Sequence, residues 1–158
     1  MPKLRLVLPK GRIFDSVFDL LADAGFGIEV DERLYIPRVD DADIECKIMK
    51  PQNIPRLLEV GSHDAGFTGR DWIVETGARI EEVLDLGFNP VRIVAAVPRE
   101  LAGADLTKKN LLVASEYERL AREYRDRFPS NRPVCRVNRN LKGYSSVERV
   151  RGLFWRHA

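Results

Sequence analysis

Residues 3–8, KLRLVL, read as an extended strand that stops at Pro9. After Lys10-Gly11-Arg12 the spacing changes. In IFDSVFDLLADAGF the apolar positions Ile13, Phe14, Val17, Phe18, Leu20, Leu21 and Ala24 recur at helical intervals, and Gly25 supplies a stop. This strand–turn–helix switch constrains the fold more than any other feature of the chain.

The pattern continues. Strands are expected at 33–38 and 43–49, and a helix at 51–60 with Pro51 in its first turn and Gly61 after it. A strand at 64–68 runs into a helix beginning near Arg70. Further strands are expected at 81–86 and 91–97, the latter (VRIVAAV) closed by Pro98. The polar segment 99–109 reads as a loop, 111–115 as a strand, and EYERLAREYRDRF as a helix. A strand at 134–137 and a last helix at 145–155 complete the reading. Alternation of this kind predicts α/β layers around a largely parallel sheet. The polar stretch after Pro98 marks a candidate lobe boundary. The lobes themselves are set at 1–90 and 91–158.

Composition narrows the function. The 158 residues are 44% hydrophobic and 32% charged, enough for one good core or two small lobes. No apolar run approaches ~18 residues and no basic-then-apolar leader precedes the first strand. The expected location is cytoplasmic, with no membrane partner. Cys46 and Cys135 lie far apart with no histidine near them, which argues against zinc. His63 and His157 are the two histidines, and both read as surface residues.

Charge is unevenly spread. Residues 119–158 hold ten arginines and one lysine against Glu123, Asp126 and Glu148, a local +8 within a net +2. The other 118 residues therefore carry −6. A nucleic-acid-binding tail is one reading, but there is no interleaved aromatic platform and most of the chain is acidic. No nucleic-acid partner is expected.

In open α/β sheets, ligands gather at the carboxyl ends of strands. Lys10-Gly11-Arg12 and Thr68-Gly69-Arg70-Asp71 both lie at strand-to-helix turns, and Lys50 stands before Pro51 at a third. Each turn alone can be a helix cap, a tight turn and a solvated charge. Together they favour an anionic small ligand, because two turns place glycine beside cations suited to phosphate. No Ser/His/Asp arrangement, spaced metal-ligand cluster or glycine-rich nucleotide loop accompanies them.

The segments Leu8-Pro9-Lys10-Gly11-Arg12, KPQNIPRLLEVGSHDAGFTGRDWIVETGA and ASEYERLAREY, in this order and spacing, resemble ATP phosphoribosyltransferase, the first enzyme of histidine biosynthesis. The resemblance covers residues 4 to about 128. It implies an α/β fold like the type II periplasmic binding proteins, with two lobes, the second only partly present. Residues 1–90 would be the nucleotide side of a cleft. The implied substrates are ATP and phosphoribosyl pyrophosphate, with Mg²⁺ carried alongside them. Lys10, Gly11, Arg12, Lys50, Thr68, Gly69, Arg70 and Asp71 would then bind substrate. Asp71 either orients a ribose hydroxyl or caps its helix. No side-chain nucleophile is needed, since N1 of adenine displaces pyrophosphate directly. A homo-oligomer is implied, or pairing with a regulatory partner subunit.

Family members carry a later acidic segment followed by a Thr-Gly-x-Thr-like phosphate turn, which is not found after residue 128. GYSSVE, residues 143–148, resembles the element before that turn. A truncated or altered C-terminus is therefore expected, with residues 129–158 the least regular part and the first-lobe sheet short of its return strand. The alternative is a non-catalytic nucleotide- or anion-binding module on the same scaffold.

Overall fold

The computed structural model describes residues 3–30, 36–88, 90–104, 112–126, 136–138 and 154–157. The chain divides into two compact units, 1–90 and 91–158. The division falls between Pro90 and Val91 and not in the polar stretch after Pro98, because the apolar strand ahead of Pro98 pairs with later residues.

In the first unit a parallel sheet is ordered β4–β1–β5, from β1 (Leu4–Pro9), β4 (Ile44–Met49) and β5 (Ala65–Gly66). β1 pairs with β4 along its full length, from Leu4 opposite Ile44 to Pro9 opposite Met49. With β5 it shares only Leu6–Ala65 and Val7–Gly66. As the middle strand, β1 is covered on both faces, which is why it reads as a nearly continuous apolar run. Leu6 and Leu8 join Cys46, Ile48 and Val17 of α1 (Phe14–Asp23) in one core layer. Val7, on the opposite face, is fully buried, as is Ile54 of α2 (Ile54–Glu59). The Phe14 and Phe18 rings, one helical turn apart, stack with centroids 5.8 Å apart and close the α1 face.

Pro9 occupies the last rung of β1. Arg5 and Val7 accept bonds from Asp64 and Phe67 on the β5 side, while Leu4 and Lys10 donate to Asp43 and Met49 on the β4 side. By alternation Pro9 faces β5, where a residue with an N–H would offer one more bond.

Three expected elements differ. Segment 81–86 is irregular, with Val83 and Leu84 largely exposed, so it lacks the buried face that a strand requires. The strand expected at 33–38 is Arg38–Val39 (β3), paired antiparallel with Ile28–Glu29 (β2), while residues 33–35 lie outside the described part. Such two-residue strands are too short to leave a periodic signature. The end of the helix expected at 145–155 is instead a strand, β9 (Phe154–His157), and residues 145–153 lie outside the described part. Neighbouring large aromatic residues favour the pleated surface beside the apolar strand β6 (Ile93–Ala96).

The second unit has a sheet ordered β6–β9–β7–β8, with β7 (Leu112–Ala114) and β8 (Arg136–Asn138). β7 is parallel to both neighbours and β6 runs antiparallel to β9. Of the stretch 129–158, expected to be irregular, the described residues are all in these strands. Helix α4 (Glu118–Asp126) follows β7 through a turn in which the buried Ser115 hydroxyl accepts from the Tyr117 N–H at 2.9 Å. Arg122–Glu118 and Arg119–Glu123 pairs, each four residues apart, line its exposed surface. No helix among the described residues is long and apolar enough to cross a membrane.

Candidate functional site

Because β1, β4 and β5 run parallel, the turns that follow them leave the same edge of the sheet. The Lys10 N–H donates to the Met49 carbonyl at 2.6 Å, which sets Lys10 beside the strand end that carries Lys50. Lys50 is held extended by the proline after it (ψ 134°) and is exposed. On the other side, the Thr68 hydroxyl donates to the Pro51 carbonyl at 3.0 Å and ties the third turn to the second. Gly11 turns the chain out of β1 with φ +96°, and its carbonyl accepts from the Phe14 N–H at 2.9 Å. Arg12, next in that turn, is exposed.

Gly66 is what lets the third turn sit so close. A Cβ there would collide with the Val7 side chain and stand 3.1 Å from both Ile54 Cγ2 and the Val7 carbonyl. Helix α3 (Arg70–Thr76) starts three residues after β5. The Asp71 carboxylate folds back over Gly69, where any side chain would meet its Oδ1. An acid in the first turn of a helix is favourable there in its own right. The Arg70 side chain is 77% exposed and its Nε lies 3.3 Å from Glu82 Oε2. Glu82 was missed in the sequence, where it belonged to an expected strand.

The opposite end of the sheet is stapled. Asp64 accepts from the Arg5 backbone N–H at 2.8 Å and from its guanidinium at 2.6 and 3.1 Å. Those bonds from Arg5 hold the Asp64 carboxyl down at about 2. Its ordinary value of 3.8 applies in the unfolded chain, so the stabilisation is present above pH ~4 and is lost as pH falls towards 2. Asp64→Asn should therefore flatten the acid limb of a Tm-against-pH curve between pH 4 and 2. An unchanged limb would show that the staple does not contribute. Both partners are substantially exposed, so the effect is small and weakens with salt.

His63, expected at the surface, is partly buried, and this burial lowers its pKa. The side chain of His157 lies outside what the structure describes. The Cys46 thiol is buried in apolar surroundings and pushed up to about 11, which leaves it unreactive at neutral pH. At the far end of α3, Arg56 donates to the Thr76 carbonyl at 2.5 Å and to Glu59 at 2.6 Å. The Arg79 N–H and the Arg56 guanidinium hold the Glu59 carboxyl below its usual range. Among the described residues no group of three acidic, histidine or cysteine side chains could hold a metal ion.

Sheet and turns together define an α/β protein whose parallel strands bring the turns that carry Lys10, Arg12, Lys50 and Arg70 to one edge. Comparison with known proteins gives the particular family: the chain belongs to the HisG, or ATP phosphoribosyltransferase, family, whose model matches residues 50–138. A protein described as ATP phosphoribosyltransferase from Chlorobium phaeovibrioides is 40% identical over 129 residues, 77% of this chain and 43% of that protein. One of the same description from Pelotomaculum thermopropionicum is 39% identical over 130 residues, 77% of this chain and 44% of that protein. The chain thus spans less than half the length of these curated relatives. A solved structure of the ATP phosphoribosyl transferase (HisG:HisZ) complex from Thermotoga maritima superimposes with a TM-score of 0.78. It is 24% identical, and the match covers 98% of this chain and 74% of that one, which supports the α/β fold.

Proposed function

We propose that this chain acts in the transfer of a phosphoribosyl group from phosphoribosyl pyrophosphate to N1 of the adenine of ATP, the first step of histidine biosynthesis. The observation that carries the reading is the meeting of the Lys10, Lys50 and Thr68–Asp71 turns at one sheet edge, in a chain of this family. In this step the N1 lone pair forms a bond to ribose C1, the bond from C1 to the pyrophosphate oxygen breaks, and its electron pair leaves with pyrophosphate. No side chain needs to attack. What the protein supplies is alignment of two polyanions and stabilisation of the leaving charge.

Lys10, Arg12, Lys50 and Arg70 suit the phosphates by charge. Gly11 lets backbone approach the ligand, Gly69 makes room for the Asp71 carboxylate, and Thr68 keeps the second and third turns in register through Pro51. Asp71 fits the cap reading better, since its carboxylate lies over the start of its own helix. The described residues offer no cage for Mg²⁺, so the ion would enter on the phosphates of the substrates, with Asp71 the one carboxylate among the proposed site residues. In the same reading the units 1–90 and 91–158 are two lobes of a fold like the type II periplasmic binding proteins, in a cytoplasmic enzyme. A regulatory partner subunit is proposed by analogy with the HisG:HisZ assembly.

Phosphoribosyl-ATP formation, assayed with the chain alone and with a partner subunit, tests the reaction. Calorimetry tests the site separately: Arg70→Ala should weaken nucleotide binding by about 1–3 kcal/mol, the cost of losing a charge-assisted hydrogen bond. Tight binding untouched by this change would remove Arg70 from the site. Nucleotide binding without turnover would instead favour a binding module.

A further inference from the structure

We propose that Glu82 is an internal competitor for Arg70 and sets how tightly this edge of the site holds polyphosphate ligands, an inference that rests on the reading above. The geometry begins at Gly77. With φ +60° it ends α3 in a left-handed turn, and its N–H bonds back to the Ile73 carbonyl at 2.9 Å. Ala78 is buried, and the Arg79 N–H donates to Glu59 at 3.0 Å. From there the chain returns towards the start of its own helix. A seven-residue helix is about 10 Å long, and five extended residues span about 16 Å, so residue 82 can reach the level of Arg70.

There the Glu82 carboxylate lies 3.3 Å from the Arg70 guanidinium. The next residues do not pin it, since Val83 is 89% and Leu84 72% exposed. A carboxylate and a phosphate present the same kind of paired acceptor oxygens to an arginine. A polyphosphate that engages the edge of Arg70 that includes Nε therefore competes with Glu82 for it. Both partners are partly in water, so the pair restrains binding by about two- to fivefold. Glu82 is thus a positioning residue, which acts on ligand only through Arg70.

The test is titration calorimetry of ATP, and separately of inorganic pyrophosphate, into the full chain and its Glu82→Gln, Arg70→Ala and doubly substituted forms. Glu82→Gln should tighten both ligands about two- to fivefold at low ionic strength, and the gain should vanish when Arg70 is already alanine. An equal gain in the Arg70→Ala background would reveal a general charge effect and overturn the proposal. So would an unchanged or weaker affinity for Glu82→Gln while Arg70→Ala still weakens binding, a result that leaves the site reading standing. Binding indifferent to Arg70→Ala would remove Arg70 from the site and overturn the proposal with it.

Discussion

Ile54→Ala should lower the unfolding free energy of the first unit by about 2–5 kcal/mol, the range for deleting a fully buried branched side chain. Ile54 has no exposed surface and is the first residue of α2. Its Cγ2 lies against the glycine of β5, so it fills space that no β5 side chain can fill. Pro55, beside it, is almost as buried, and Arg56 one residue on is engaged with Glu59 and Thr76. The helix is therefore anchored right beside the gap and has little freedom to collapse into it. Urea unfolding with an unchanged m-value measures the loss. A cost below ~1 kcal/mol would mean that α2 is not seated on the sheet as described.

The second large effect is the reverse change. Gly66→Val should destabilise the first unit by about 3 kcal/mol, the upper part of the range for overpacking. The added side chain would meet Val7 of the middle strand and Ile54 of α2 together, and the nearby Val7 carbonyl is backbone that cannot rotate away. The two sites share a contact and should not be additive. Ile54→Ala made together with Gly66→Val should cost less than the two changes summed, because the alanine opens one of the two blocked directions. Strict additivity would place residue 66 away from Ile54. A stability equal to wild type for Gly66→Val would mean that β5 does not approach β1 this closely.

Much of this arrangement was legible in the sequence, for identifiable reasons. KLRLVLP followed by IFDSVFDLLADAGF changes period abruptly, and both segments are long enough for the change to register; they became β1 and α1. Once three strand-to-helix junctions belong to a parallel sheet, their shared edge follows from topology alone, which is why the sequence by itself groups the turns of Lys10, Lys50 and Thr68. The misreadings have a common source. Glu81–Leu86 and the last residues of the chain carry apolar side chains without saying which surface will receive them, and that depends on partners distant in sequence. Residue 154 pairs with residue 96, and the strand in 93–96 gives no sign of it. The pair Arg70–Glu82 was equally hidden, since twelve residues of separation mean nothing until Gly77 reverses the chain.

Pro9 has a consequence for the shape of the proposed ligand edge. The ladder between β1 and β4 runs on to Lys10, whereas the one between β1 and β5 reaches only Phe67, and the rung that would come next faces a ring nitrogen without a hydrogen. The sheet therefore unzips earlier on the β5 side, after Val7, than on the β4 side, where the bonds continue to Lys10. Freed from the ladder, the chain after Phe67 can swing across the end of the middle strand until the Thr68 hydroxyl finds the Pro51 carbonyl. A missing hydrogen atom thus acts as a stop on the zipper, just ahead of the turns that carry the lysines at 10 and 50 and the helix that begins at Arg70.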